Sequence, residues 1–217
     1  MRERNQGLAA PPLSLGAFTR IELLVVVSVV ILLALLAIPA FSRARARAAR
    51  VRCTSNLMQL GSSVKTWALD HFDKLPPQVA AETSNVSENS GTQELCRYFR
   101  VLSNELSTPF ILICPADKRK PAKDFGAGFC NTNISYFFSI SAVDDQPQTL
   151  LSGDRNLTNG APASGGVLVL TTNHVVGWTA ELHNQNGNVL LCDGSIQQVP
   201  SSKLNGAICG TNRLAMP

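Results

Sequence analysis

The chain has 217 residues, of which 45% are apolar and 16% charged, and its formal net charge at pH 7 is +4. The positive charge is local, because residues 43–52 contain five arginines whereas the chain from Cys53 onward has 11 basic and 13 acidic residues. A domain with this balance lacks the basic surface that binds phosphate backbones, so we expect no nucleic-acid partner. The length suits one globular domain behind a short N-terminal region.

The N-terminal region is built around one apolar stretch. Residues 1–17 form a short leader, and from Leu23 to Ser42 there are 20 consecutive residues without a charge. A helix of that length spans about 30 Å, the hydrocarbon thickness of a bilayer. The apolar core of a secretory signal is shorter, at about 15 residues or fewer. Residues 18–42 are therefore predicted to be a transmembrane helix, and the simplest interpretation is a plain membrane anchor.

A single acidic residue, Glu22, directly precedes the uncharged stretch. An unpaired carboxylate in a membrane span costs on the order of 3 kcal/mol, which indicates that Glu22 has a partner. The segment Ala17–Val26, AFTRIELLVV, resembles the class III signal of type IV prepilins and type II secretion pseudopilins. It departs from that signal at two places: Ala17 stands where glycine is usual, and Arg20 replaces an apolar residue.

The resemblance implies how the chain is processed and with what it assembles. A prepilin peptidase would cut between Ala17 and Phe18 and methylate the new amino group of Phe18. Glu22 and Pro39 would then be the fifth and twenty-second mature residues, where the family usually carries these residue types, and Glu22 would pair with the Phe18 amino group of a neighbouring subunit. The expected partners are the peptidase, other pilin-like subunits and the membrane.

The resemblance also implies a single-pass protein of the inner membrane, with a cytoplasmic N-terminus and an extracytoplasmic soluble domain. The positive-inside rule predicts the opposite orientation, because it places the arginine-rich flank at residues 43–52 in the cytoplasm. Outside, those arginines would form a collar against lipid headgroups. We favour the resemblance because its motif is specific whereas the charge rule is statistical.

One long helix is predicted from Phe18 to about Phe72, with residues 43–75 as an amphipathic continuation of the span. Pro39 is expected to kink it, because its ring removes a backbone hydrogen bond. The residues that define the buried face recur at steps of three and four: Leu57, Leu60, Val64, Trp67 and His71.

Residues 76–217 are predicted to form the extracytoplasmic globular domain. The fold class is α+β, a long N-terminal helix packed on a small antiparallel, pilin-like β-sheet. We predict a surface loop at 78–92, a short helix at 92–102 and an irregular tail from Asn205. Strands are predicted at Phe110–Pro115, Ile134–Ile140, Leu150–Asn156, Val167–Leu170 and Val189–Cys192, the last following an Asn186-Gly187 turn and returning through Asp193-Gly194.

Nine residues separate His183 from Asp193, and Gly194 follows; this His-x9-Asp-Gly pattern resembles the signature of a narrower family, the prepilin-like proteins of planctomycetes. We expect a structural role for it, in which the Asp193 carboxylate would hold one tautomer of the His183 ring. No catalytic residue is predicted, because no motif places a nucleophile beside them. The resemblance also covers five other segments: CTSNLMQLG from Cys53, WALD from Trp67, PP at Pro76, CPAD from Cys114 and SY at Ser135.

The six cysteines allow two interpretations. An even number in an exported domain favours disulfides, and buried free thiols are the alternative. No Cys-x-x-Cys pair or finger-like histidine spacing occurs, so neither a zinc site nor any other cofactor is predicted. Calcium near Asp154, Asp193 or the Asp144-Asp145 pair is a weaker hypothesis. The cysteines are Cys53, Cys96, Cys114, Cys130, Cys192 and Cys209.

Three functions remain open at this stage. The first is a structural, non-enzymatic subunit, pseudopilin-like or minor-pilin-like, of a type II secretion or type IV pilus-like filament. The second is a membrane-anchored envelope binding module that does not polymerise. The third is an envelope hydrolase that uses His183.

Overall fold

The computed structural model describes residues 19–83, 91–143, 145–171, 175–207 and 211–217. The chain divides into two compact units, Met1–Ala44 and Arg45–Pro217. The first helix, α1 (Arg20–Asp70), begins in the first unit and ends in the second. The long helix predicted from the apolar and amphipathic patterns is thus confirmed, with ends that differ by two residues.

Within the first unit, α1 is apolar on all sides. Its large apolar side chains from Ile21 to Phe41 are exposed. Among the described residues, α1 is the one helix long and apolar enough to cross a membrane. The helix continues through Pro39, and the Ser42 hydroxyl donates to the Pro39 carbonyl at 3.0 Å. By length and composition, this part of α1 could form a single membrane span.

Within the second unit, the remainder of α1 is amphipathic and contributes one side of the hydrophobic core. The ring of His71 is half-buried and stacks on Trp67, with 3.7 Å between the ring centroids. The predicted stripe is confirmed by its buried members, Leu57, Leu60, Val64 and Trp67.

A six-stranded antiparallel sheet forms the other side of that core. Its order is β4-β8-β1-β2-β6-β7, and a separate two-stranded ribbon pairs β3 with β5. The strands are β1 (Tyr136–Ser139), β2 (Leu150–Asp154), β3 (Leu157–Thr158), β4 (Val167–Leu170), β5 (Gly177–Trp178), β6 (Asn186–Leu191), β7 (Ile196–Pro200) and β8 (Asn212–Ala215). Together with α1 they give the α+β layout that the sequence predicts.

The described part of the second unit also contains four short α-helices: α2 (Pro76–Thr83), α3 (Gly91–Val101), α4 (Ser103–Leu106) and α5 (Ser201–Ala207). The predicted helix at 92–102 is confirmed as α3.

Helix α1 approaches the sheet closely at Gly61, where an added Cβ would lie 3.1 Å from the Leu190 side chain. Gly61 therefore weakens the helix locally but permits its packing on β6.

The structure contradicts two strand and loop predictions before residue 120. The segment predicted as a strand at Phe110–Pro115 begins as a 3₁₀ helix, Pro109–Leu112. Pro109 favours a helical start, and the Thr108 side chain caps it by accepting from the Phe110 amide. The predicted loop at 78–92 is wrong for the part that lies in α2; residues 84–90 lie outside the described residues.

Two predictions near the C-terminus are also wrong. Asn186 and Gly187 lie in strand β6 rather than in a turn, and a Cβ on Gly187 would lie 2.5 Å from the ring of Trp178. The tail predicted to be irregular contributes β8, which pairs with β1 and β4. Its Leu214 and Ala215 side chains are fully buried, and this tertiary pairing overrides a weak local pattern.

Candidate functional site

Four chemically reactive side chains meet in the interior of the second unit. Cys53 comes from α1, Cys114 from the segment after the 3₁₀ helix, Asp154 from the end of β2 and His183 from the loop before β6. The two cysteines and Asp154 are 0% exposed, and the His183 side chain is 3% exposed. We call these four residues the tetrad.

The donor atoms of the tetrad converge on a small volume, and all lie within 4.8 Å of one another. Cys53 Sγ is 3.2 Å from Asp154 Oδ1, and Cys114 Sγ is 3.3 Å from His183 Nε2. The same imidazole nitrogen, Nε2, is 3.7 Å from Asp154 Oδ2. Thiol and carboxylate thus approach one ring nitrogen from two directions.

Neighbouring polar groups hold the tetrad side chains in place. The Tyr136 hydroxyl is 3.2 Å from Cys53 Sγ. The backbone N–H and side-chain amide of Asn188 donate to Asp154 Oδ2 at 2.7 and 2.8 Å. Cys53 and Asp154 therefore each have an orienting partner outside the tetrad.

The loop that carries His183 has an unusual backbone. Three consecutive non-glycine residues, His183–Gln185, have φ between 50° and 59°. Each left-handed residue costs about 1–2 kcal/mol, so surrounding contacts must maintain the conformation. Arg50 donates to the His183 carbonyl at 3.1 Å, and the Asn156 side chain donates to the Leu182 carbonyl at 3.0 Å.

Burial and mutual hydrogen bonds alter the proton affinities of the tetrad. Burial raises the pKa of Cys53 far above its usual range, whereas hydrogen bonds from Cys53 and His183 lower the pKa of Cys114 to about 5. Burial raises the pKa of Asp154 to about 6. Burial lowers the pKa of His183, but the Cys114 hydrogen bond and the Asp154 charge outweigh it, so the net shift is upward. At neutral pH a thiolate and a carboxylate therefore adjoin the imidazole.

Two kinds of chemistry use such a set: nucleophilic catalysis by Cys114 and coordination of a metal ion. A cysteine nucleophile needs a base that a third group orients through its other ring nitrogen. Here Cys114 and Asp154 both contact the same ring nitrogen of His183, Nε2. The Cys114 sulfur is also fully buried, which leaves no room for a substrate beside it. Coordination by all four donors fits the geometry better.

The structure separates the two ends of the His-x9-Asp-Gly signature. His183 lies in the tetrad, whereas the exposed Asp193 carboxylate accepts from the Ser195 amide at 2.8 Å and from Gln148 at 3.3 Å. Gly194 has a φ of +84°, which the turn between β6 and β7 requires. The carboxylate beside the His183 ring is that of Asp154, and Asp193 stabilises the hairpin turn.

Glu22 forms reciprocal hydrogen bonds with Thr19 at the start of α1, which were not predicted from the sequence. Glu22 Oε2 accepts hydrogen bonds from the Thr19 amide and hydroxyl, both at 2.8 Å, and Thr19 Oγ1 accepts from the Glu22 amide at 3.3 Å. This reciprocal pattern is a capping box, whose signature Thr-x-x-Glu is visible in the sequence. Ala17 and Phe18 lie outside the described residues, and Pro39 lies within α1.

The structure also bears on the predicted disulfides and on the candidate calcium ligands. Cys53, Cys114 and Cys130 are free thiols, so the disulfide prediction is not met for these three; Cys209 lies outside the described residues. Of the calcium candidates, Asp154 is in the tetrad, Asp145 is exposed and Asp144 lies outside the described residues.

Three of the segments that carry the narrower resemblance lie beside the tetrad. The Ser135 hydroxyl donates to Asp117 Oδ2 at 2.8 Å, and Asn56 donates to the Ile113 carbonyl at 2.9 Å. Arg155, next to Asp154, makes a two-pronged ion pair with Asp117 at 2.7 and 3.0 Å. These contacts tie the CPAD, SY and α1 segments to one another around the site.

The Asp117–Arg155 pair gives a prediction about pH. Burial raises the pKa of Asp117, but hydrogen bonds from Arg155 and Ser135 and the Arg155 charge outweigh it, so the pKa lies below its usual range. We expect Asp117→Asn to lower the free energy of unfolding by about 3 kcal/mol at pH 7. Because the folded pKa is depressed, this difference is complete above about pH 4 and shrinks as pH falls further.

Urea unfolding at pH 7 and at several pH values below 5 measures this difference. Asp145→Asn is the matched control, since its side chain is on the surface, and it should unfold like the unsubstituted chain. A gap for Asp117→Asn that stays constant down to pH 3 would show that the ion pair is not its cause.

Comparison of the chain with protein-family models, with curated proteins and with solved structures finds no match.

Proposed function

We propose that this protein is a membrane-anchored structural subunit that assembles with other pilin-like subunits through the apolar half of α1. In this proposal it is a pseudopilin-like or minor-pilin-like component of a type II secretion or type IV pilus-like filament. A prepilin peptidase cuts before Phe18, and the soluble domain lies outside the cytoplasmic membrane. The observation that carries the proposal is the uncovered apolar half of α1, which begins at an acidic residue.

The apolar half of α1 is too hydrophobic to be stable in contact with water. Between Ile21 and Phe41, 15 large apolar side chains are exposed. Burying each is worth about 1.5–3 kcal/mol, so together they favour a nonaqueous environment by on the order of 20–40 kcal/mol. Lipid alone can cover these side chains. A bundle of identical helices can also cover them, whether the bundle lies inside or outside the membrane. The apolar surface supports both an anchor and a filament core.

Glu22 favours the filament over the plain anchor. The capping box satisfies hydrogen-bonding groups at the start of α1, but Thr19 carries no charge to balance the carboxylate. Both bonds that Glu22 accepts go to Oε2, and none of the described residues forms an ion pair with it. In a bundle of apolar helices a cation must come from a neighbour. The amino group of Phe18 released by cleavage is the cation that we propose.

Mass spectrometry of the chain purified from membranes tests this function through its processing. We expect a mature chain that begins at Phe18 with one added methyl group. Expression in a strain without the prepilin peptidase is the control and should yield the uncut chain. A chain that keeps its first 17 residues in the presence of the peptidase would contradict the proposal and leave the anchored, non-polymerising module as the better account.

A further inference from the structure

We propose that Cys53, Cys114, Asp154 and His183 bind one Zn²⁺ ion in a closed, structural site. The proposal concerns the second unit alone and stands whether or not the protein assembles into filaments. Its basis is the convergence of four donors of the types that zinc prefers, sulfur, nitrogen and carboxylate oxygen, on one buried point.

Three of the distances between the tetrad side chains are close to the edges of a tetrahedron around zinc. Zinc bonds to sulfur, nitrogen and oxygen are about 2.0–2.3 Å, so the edges of a regular tetrahedron built on them are about 3.3–3.8 Å. The described separations are 3.2 Å from Cys53 Sγ to Asp154 Oδ1, 3.3 Å from Cys114 Sγ to His183 Nε2 and 3.7 Å from His183 Nε2 to Asp154 Oδ2. The first and third of these distances end on different oxygens of Asp154, and the remaining donor pairs lie within 4.8 Å, so an ion at the centre requires side-chain shifts of up to about 1 Å.

Polar groups outside the tetrad contact its side chains, and in known metal sites such outer groups orient each ligand through its remaining hydrogen-bonding capacity. Asn188 holds the carboxylate of Asp154 with two donors, and Tyr136 contacts the sulfur of Cys53.

Charge balance also favours a divalent cation at the centre. Zn²⁺ displaces the proton of Cys53 on binding, and it then reduces the three negative charges of two thiolates and a carboxylate to one. Arg50, which donates to the His183 carbonyl at 3.1 Å, places a further positive charge beside the site. A buried group of this kind is costly without such compensation.

The donor set selects zinc over calcium. Calcium binds six to eight oxygen ligands, whereas half of the tetrad donors are sulfur. Thiolate and imidazole favour zinc among the common redox-inert ions. Because all four positions are filled by protein and the donors are buried, no position is left for water or substrate, and the site is structural rather than catalytic.

The main competitor is a disulfide between Cys53 and Cys114, since both sulfurs belong to the cluster and an exported domain meets oxidants. A disulfide would remove two of the four ligands. The two states exclude each other and differ in mass, in zinc content and in reactivity toward alkylating reagents, so one experiment distinguishes them.

The test uses the full chain purified in detergent without chelator, with Zn²⁺ and Co²⁺ as probes. We expect one zinc per chain by elemental analysis. The Co²⁺ form should show the strong visible absorption of tetrahedral cobalt and a thiolate-to-cobalt charge-transfer band. Cys53 and Cys114 should resist alkylation until zinc is removed.

Variants locate the ion. Loss of a group that only orients a metal ligand costs about 10–100-fold in metal affinity. Loss of a ligand itself should cost more, so Cys114→Ser and His183→Ala should each weaken zinc binding by at least about 100-fold. Tyr136→Phe should weaken it by about tenfold with the fold retained, as circular dichroism would show. Cys130→Ser, at an exposed cysteine outside the tetrad, is the matched control and should keep full affinity.

Two results would overturn the proposal. One is a Cys53–Cys114 disulfide in the purified chain. The other is a zinc content or affinity that is the same in Tyr136→Phe and Cys114→Ser as in the unsubstituted chain, which would assign the metal to another place.

Discussion

Removal of zinc from the tetrad is expected to lower the midpoint of thermal unfolding of the second unit by about 10 °C. A ligand at 1,000 times its dissociation constant stabilises the folded state by about 4 kcal/mol. For a domain of this size each kcal/mol corresponds to about 2–4 °C. The reason is that the apo tetrad leaves thiolate and carboxylate charges buried without a cation.

Tryptophan fluorescence measures this effect selectively. The only two tryptophans, Trp67 and Trp178, are both buried in the second unit, so their emission reports its unfolding and not that of the apolar half of α1. Heating with and without a chelator gives the shift. Cys130→Ser should respond to the chelator like the unsubstituted chain, whereas Cys114→Ser should unfold early in both conditions. A chelator shift below about 2 °C in the unsubstituted chain would contradict a stabilising role for zinc.

Substitution of Glu22 is expected to impair assembly by about 100-fold while membrane insertion continues. Breaking a buried ion pair costs about 3 kcal/mol, and every 1.4 kcal/mol is a factor of ten. The capping box complicates a simple alanine substitution, since Glu22→Ala removes both the helix cap and the charge. Variants that remove one of these at a time are therefore needed.

Glu22→Gln and Thr19→Ala separate the two roles. Glutamine can replace glutamate in a capping box, so Glu22→Gln keeps the cap and loses the charge. Thr19→Ala loses the capping hydroxyl and keeps the charge. If the charge pairs with a neighbouring subunit, Glu22→Gln assembles as poorly as Glu22→Ala and Thr19→Ala assembles almost normally. The reverse ranking, with Glu22→Gln normal, would show that Glu22 serves only to begin the helix.

The elements of this fold that depend on local patterns were predictable from the sequence. The uncharged stretch and the three- and four-residue steps on α1 predict one long helix, because side-chain burial there depends on spacing along a single element. The Asp193-Gly194 turn predicts the β6–β7 hairpin for the same reason. Strand β8 was missed because its stability comes from pairing with β1 and β4, distant in sequence, and not from its own composition.

The convergence of the four tetrad residues could not be predicted from the sequence, for a different physical reason. Metal sites are recognised in sequences by ligands a few residues apart, whereas Cys53 and Asp154 are separated by 101 residues and Cys114 and His183 by 69. Only the packing of α1 on the sheet brings them together. The sequence carries a partial signal for the site, because Cys53, Cys114 and His183 each lie in a motif of the narrower resemblance. Asp154 lies in no such motif, and its carboxylate alone suggests only a calcium ligand.

Photo-cross-linking within the membrane tests the central claim, that the apolar half of α1 packs against copies of itself, most directly. A photo-reactive residue in place of Ile31, which is exposed in the middle of that half, would capture whatever lies beside it. We expect a ladder of dimers, trimers and larger species that persists when the protein is diluted with lipid. Cross-links to lipid alone, with the protein remaining a monomer, would contradict the account.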